Sequence, residues 1–144
     1  MSGRILLIAS IALLFVGCSE RKEIVSFDEP EYFIIGSGGG FTGKYTEFRV
    51  YDDGLIEQMD YDENEYVQYA KVEAYQIHPF FSEITRLDLI NVRYDNPGNM
   101  TWYFEVHDEE ATNRVRWGDF KVQPIDPEIE EFYKKVNDFV LDQR

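Results

Sequence analysis

The chain has 144 residues, among them 14 Lys or Arg against 28 Asp or Glu, for a formal charge of −14. That length allows one domain, and a single cysteine excludes an intrachain disulfide. The acidity excludes the basic footprint that nucleic acids require, and equally electrostatic adhesion to anionic lipid.

Met1 to Arg4 form a short basic start, and Ile5 to Val16 are an apolar run of twelve residues broken only by Ala and Ser. Such a run is too short to span a bilayer and fits a signal-peptide core. It ends in Phe15-Val16-Gly17-Cys18, followed by Ser19 and Glu20. This resembles a bacterial lipobox, although Phe15 stands where Leu is usual. The resemblance implies that residues 1–17 are removed as a signal peptide and that Cys18 is lipidated and becomes the new N-terminus. Several acyl chains, at about 0.8 kcal/mol per buried methylene, anchor stably. Ser19 rather than Asp after the cysteine implies passage to the outer membrane of a Gram-negative envelope. Residues 18–30 then read as the lipidated cysteine and a flexible polar tether, and residues 31–144 as one globular domain.

Tyr32 to Ile35 is a compact apolar strand that runs into glycines. Tyr45 to Tyr51 alternates, with Phe48 and Val50 on one face and Glu47 and Arg49 on the other. Asp52-Asp53-Gly54 is a hairpin turn, and Leu55 to Tyr61 is the return strand. An acidic loop, Asp60 to Glu65, leads to another alternating stretch, Tyr66 to Val72. Pro79 suits a first helical turn with His78 at its start, and Ile77, Phe80, Phe81, Ile84 and Leu87 recur at helical spacing. A helix over about 77–90 is predicted. Asn96-Pro97-Gly98-Asn99 is a turn. Two strands follow, Met100 to Val106 and Asn113 to Trp117. The last helix, about 127–142, opens with Asp126 as N-cap and Pro127 behind it. The expected fold is α+β: a mainly antiparallel sheet of about five to six strands with both helices packed on one face.

The glycine stretch Gly36-Ser37-Gly38-Gly39-Gly40-Phe41-Thr42-Gly43-Lys44 spells G-x-x-x-x-G-K from Gly38 onward. It is not a phosphate loop. Tyr45 stands where a hydroxyl should meet Mg²⁺, and the residues after Lys44 alternate with period two, so no helix N-terminus faces the phosphates. Nucleotide is therefore not an expected ligand. Gly38, Gly39, Gly40 and Gly43 instead allow a sharp loop between two strands. Phe41 either tucks back onto the core or projects at a partner; tucking is the expected arrangement, since an exposed Phe is an aggregation liability.

Ser37 to Gly43, then a strand, then Asp53-Gly54, resembles the S-G-G-F-A-G opening of emfourin-type proteins, small bacterial inhibitors of thermolysin-like metalloproteases. The likeness continues in order through a helix with paired aromatics, Tyr94-Asp95, Trp102-Tyr103 and a last amphipathic helix. An extra glycine, Thr42 in place of Ala and the preceding lipobox depart from that pattern. The resemblance implies a protease-binding domain, but no protease-contacting residue carries over position by position.

Other constellations carry less chemistry. Asp60, Asp62 and Asn64 match the opening of a calcium loop, but Glu65 replaces its glycine and Lys71 its closing Glu. His107-Asp108-Glu109-Glu110 pairs imidazole with carboxylates at a strand end without a nucleophile in an elbow. No metal or cofactor, and no catalytic role, is expected. Trp102 and Trp117 belong to neighbouring strands, either as cross-strand core packing or as an exposed platform. Trp117, ending its strand at Gly118-Asp119, is the surface candidate.

The candidate site is thus Gly38, Gly39, Gly40, Phe41, Thr42 and Gly43, with Asn96, Pro97, Gly98, Asn99 and Trp117, beside Cys18 as the lipidation site. The expected partners are the membrane through the lipid, and a protein: a secreted or envelope metalloprotease, or an assembly component of the outer membrane.

Overall fold

The computed structural model describes residues 32–108, 111–119 and 124–144. Residues 1–17, expected as a signal peptide, and residues 18–30, expected as the lipidated Cys18 and tether, lie outside the described residues, as do Glu31, Glu109 and Glu110. No helix among the described residues is long and apolar enough to cross a membrane.

Aromatic and β-branched alternation sets the strands. β1 (Tyr32–Gly39), β2 (Lys44–Tyr51), β3 (Leu55–Asp60) and β4 (Glu65–Lys71) form a meander. Helix α1 (Ala74–Arg86) follows, then the short β5 (Asp95–Asn96), β6 (Met100–His107), β7 (Thr112–Gly118) and α2 (Pro127–Leu141). The sheet order is β4-β3-β2-β1-β6-β7-β5. Every described pairing is antiparallel except β5 with β7. The fold is therefore α+β with seven strands rather than five or six. The additional strand is β5, two residues that read locally as the start of a turn and become a strand only by pairing with Arg116 and Trp117.

One sheet face carries the core. Phe33, Ile35, Phe48, Val50, Ile56, Phe104, Val106, Val115 and Trp117 are buried there against Ile77, Phe81 and Ile84 of α1 and Ile129, Phe132, Val136 and Val140 of α2. Phe81 meets Phe33 edge-on at 5.1 Å, and Phe132 stacks on Phe104 at 5.2 Å. Each such side chain contributes about 1.5–3 kcal/mol by leaving water.

The helix boundaries differ from expectation for a local reason. α1 begins at Ala74, not near Ile77, because Glu73 and Gln76 form a reciprocal capping box. A Glu at the N-cap is an uncommon signal, so Pro79 was the more visible marker. Pro79 in fact sits at the sixth helical residue, where it withholds an N–H from the carbonyl four residues earlier, on Tyr75. Both Pro79 and His78 are exposed, so water can serve that carbonyl. The helix ends at Arg86, with Leu87 as C-cap, ahead of Asp88 in the left-handed region. α2 lies within one residue of its expected span, with the Asp126 side chain accepting from Glu128 N at 2.9 Å.

Candidate binding site

Two features at one end of the sheet decide the site. The first is the β1–β2 hairpin. Strand pairing runs to Gly39↔Lys44, and Gly39 and Gly40 take φ of +104° and +69°, which only glycine adopts without strain. Gly40 N donates to Asn99 O at 2.7 Å, so the hairpin is pinned to the 96–99 turn. α2 reaches β1 at Gly36, whose carbonyl accepts from Tyr133 Oη at 3.0 Å. The hairpin runs on for three further residue pairs beyond that level. Phe41 at its tip is fully exposed. The expected tucking back does not occur: the hairpin backbone is held against the 96–99 turn with the Phe41 ring in solvent.

The second feature is the face of the sheet that no described helix covers. Alternation places Tyr45, Glu47, Arg49 and Tyr51 of β2 there, opposite Gly38, Gly36, Ile34 and Tyr32 of β1. Thr101, Tyr103 and Glu105 of β6 face the same side, beside Gly118, Arg116 and Arg114 of β7. At Gly36 and Gly38 the strand has no side chain, and the neighbours use that space. A Cβ on Gly36 would lie 2.1 Å from the Tyr103 ring, and one on Gly38 2.0 Å from the Tyr45 ring. The two glycines are the floor over which these rings lie.

Glu47 sits on this floor and is only 8% exposed. The hydroxyls of Tyr66 and Tyr103 donate to its two carboxyl oxygens. Burial, followed by these hydrogen bonds, pushes the Tyr103 phenol well above its usual range, and the Tyr66 phenol likewise. The Arg49 guanidinium carbon lies over the Tyr66 ring, 3.7 Å from its centroid, and Nη1 donates to Tyr51 Oη at 3.2 Å. Tyr51 in turn donates to Glu57 Oε2 at 2.9 Å.

Between β2 and β7 this face opens into a cavity of about 480 Å³. Tyr45 and Tyr61 form one wall, with rings 6.2 Å apart. Arg114 and Arg116 form the opposite wall, Pro97 and Gly98 close one end, and Glu47, Thr101 and Tyr103 line the base. Arg116 is held by a two-point pair with Asp95, Nε to Oδ1 at 2.7 Å and Nη2 to Oδ2 at 2.8 Å. That guanidinium keeps the Asp95 carboxyl below its usual range. Arg114 Nε donates to Glu105, and its guanidinium lies 4.9 Å from the Tyr103 ring.

The sequence candidates divide accordingly. Gly39, Gly40, Phe41, Thr42, Gly43 and the turn residues Asn96, Pro97, Gly98 and Asn99 come together at this end. Gly38 is buried beneath Tyr45 and acts as floor, not as contact surface. Trp117 is a correction. It is 4% exposed and packs edge-on against Tyr133 at 5.2 Å and beside Phe104 at 6.3 Å, so it is core and offers no surface. Its strand parity, shared with Val115, sets that face. Trp102, directly across from it, is the more exposed of the two.

The remaining constellations are occupied locally. Asp60 Oδ1 accepts from the backbone N–H of Asp62 and Glu63 at 2.9 and 3.2 Å, ordering its own turn. His107 packs beside Tyr32 with ring centroids 4.7 Å apart, Nε2 2.7 Å from Glu105 Oε1 and Nδ1 3.1 Å from Thr112 Oγ1. It does not line the cavity. Glu47, Arg114 and Arg116 were not singled out from sequence. Only the parity of three strands, read together with their pairing, collects them.

No protein-family model matches the chain, and a search of curated proteins finds no match.

Proposed function

We propose that this chain is a lipid-anchored, non-enzymatic protein-binding domain of a Gram-negative cell envelope, docking through the hairpin around Phe41 and the adjoining 96–99 turn. One observation carries the binding reading: a large apolar side chain fully exposed on a hairpin whose backbone is pinned by the Gly40–Asn99 hydrogen bond. A side chain held out on ordered backbone loses little entropy on docking and can fill a partner's pocket. The likeness of the glycine loop to emfourin-type inhibitors narrows the partner to a secreted or envelope metalloprotease. The second reading is a structural or assembly lipoprotein of the outer membrane, in which the same end meets an envelope component.

Pull-down from envelope and secreted fractions with the full chain, beside a Phe41→Ala version, separates them. A protease retained by the native chain and lost by the variant supports inhibition. Assembly proteins retained equally by both support the second reading and reduce the hairpin to architecture. Anchoring has its own assay: radiolabelled palmitate incorporated by the native chain and absent from Cys18→Ser. Equal labelling of the two would remove Cys18 as the lipidation site.

A further inference from the structure

We propose that the cavity on the open face is a binding site for a carboxylate borne on a short carbon chain, whether free or at the C-terminal end of a polypeptide. The argument begins with sign. In a chain of charge −14, the two cationic side chains lining this cavity, Arg114 and Arg116, stand on one wall two residues apart on one strand. Asp95 and Glu105 hold them without lining the cavity themselves. Each guanidinium carries five N–H donors. The described contacts to Asp95 and Glu105 use two donors of Arg116 and one of Arg114. The rest are available to an anion, and the fixed fork geometry of a guanidinium matches a carboxylate.

The carboxylate of the base is shielded from a ligand by its own partners. Glu47 is its acidic residue, and both of its oxygens already accept tyrosine hydroxyls beneath the surface. Thr101 is likewise committed, donating to the Gly98 carbonyl at 3.2 Å. Across from the arginines, the half-exposed rings of Tyr45 and Tyr61 present flat apolar surface. The arrangement suits a head group on the arginine wall and a few carbons against the rings. A dianionic phosphate or sulfate fits less well. Glu47, Asp95 and Glu105 all lie near, so each added negative charge meets more repulsion than a single carboxylate does. This site is distinct from Phe41 at the hairpin tip.

The test is side-chain NMR of the ¹⁵N-arginine-labelled full chain in detergent, titrated with glutarate, with a short acetylated peptide bearing a free C-terminal carboxylate, with its C-terminal amide, and with sulfate. Expected is saturable movement of the Arg114 and Arg116 Nε–H signals with glutarate, the peptide acid or both, at least about tenfold weaker in Arg114→Gln and Arg116→Gln, and unchanged in Phe41→Ala. Glutarate alone would mark a small-molecule source, and the peptide acid alone a polypeptide one. Should either variant fail to fold, protection of Arg114 and Arg116 of the native chain from phenylglyoxal, read by mass spectrometry, gives the same answer. Absence of saturation, equal response to amide and acid, or a stronger response to sulfate than to both carboxylates would overturn the proposal.

Discussion

Replacing Glu47 by alanine strands two phenol hydroxyls, those of Tyr66 and Tyr103, beneath the open face. A buried group left without its partner costs about 1–3 kcal/mol, so Glu47→Ala should destabilise by roughly 2–4 kcal/mol in urea titration. Tyr66→Phe takes the described donor from Glu47 Oε1 but leaves Tyr103 on Oε2, and should cost less. Tyr133 provides a second residue-scale test. Burial pushes its phenol up to about 12, against an ordinary value of 10.0. A folded pKa above the unfolded one means that this residue's contribution is complete below pH 10 and is lost as pH rises toward 12. That loss amounts to roughly 2–3 kcal/mol. Tyr133→Phe should flatten this alkaline limb of the stability–pH curve. It should also cost about 1 kcal/mol at neutral pH through the lost bond to Gly36. An unchanged alkaline limb would show that Tyr133 does not govern it.

At the level of elements, α1 contains an internal conflict. Pro79 lies on its exposed side, inside the helix instead of in its first turn. Pro79→Ala restores one backbone hydrogen bond without touching the core, and should stabilise by about 1–2 kcal/mol, less than the full interior-proline penalty because the unfolded chain also gains freedom. Glu73→Ala removes one side of the capping box and should cost about 1 kcal/mol. Both are read from the urea midpoint at constant slope. The hairpin has the opposite character. Its tip is set by Gly39 and Gly40 backbone geometry, with residues 41–46 exposed. Trp117 belongs with the core elements, and Trp117→Ala should cost about 3–5 kcal/mol by leaving a cavity beside Phe104 and Tyr133.

For the whole molecule, charge is the dominant long-range term. Seven ion pairs of Lys or Arg join described residues, most of them exposed, and exposed pairs contribute only about 0–1 kcal/mol each. Screening those weakens the fold slightly, whereas screening a formal charge of −14 relieves repulsion across the entire surface. The second effect should win: raising NaCl from about 10 mM to about 300 mM, which shortens the screening length from about 30 Å to below 8 Å, should raise the melting temperature. A fall would show that the ion pairs, above all those of Arg114 and Arg116, outweigh the net charge.

The α+β class, both helices and six of the seven strands were legible locally, because apolar periodicity and turn chemistry depend on neighbours within a few residues. Asp126 and Pro127 fixed the start of α2 for the same reason. Gly38 to Gly43 was legible as a hairpin, but not the exposure of Phe41, which depends on how the hairpin is held against the distant 96–99 turn. β5, the burial of Trp117, and the gathering of Glu47, Arg114 and Arg116 onto one cavity depend on which strands become neighbours. Those partners lie as far apart as Glu47 and Tyr103, or Asp95 and Arg116. Local sequence sets the parity of each strand; only the strand order β2-β1-β6-β7 decides which parities meet. It is that order, with two glycines in β1 leaving room for the rings of Tyr45 and Tyr103, that turns four alternating segments into a single open face.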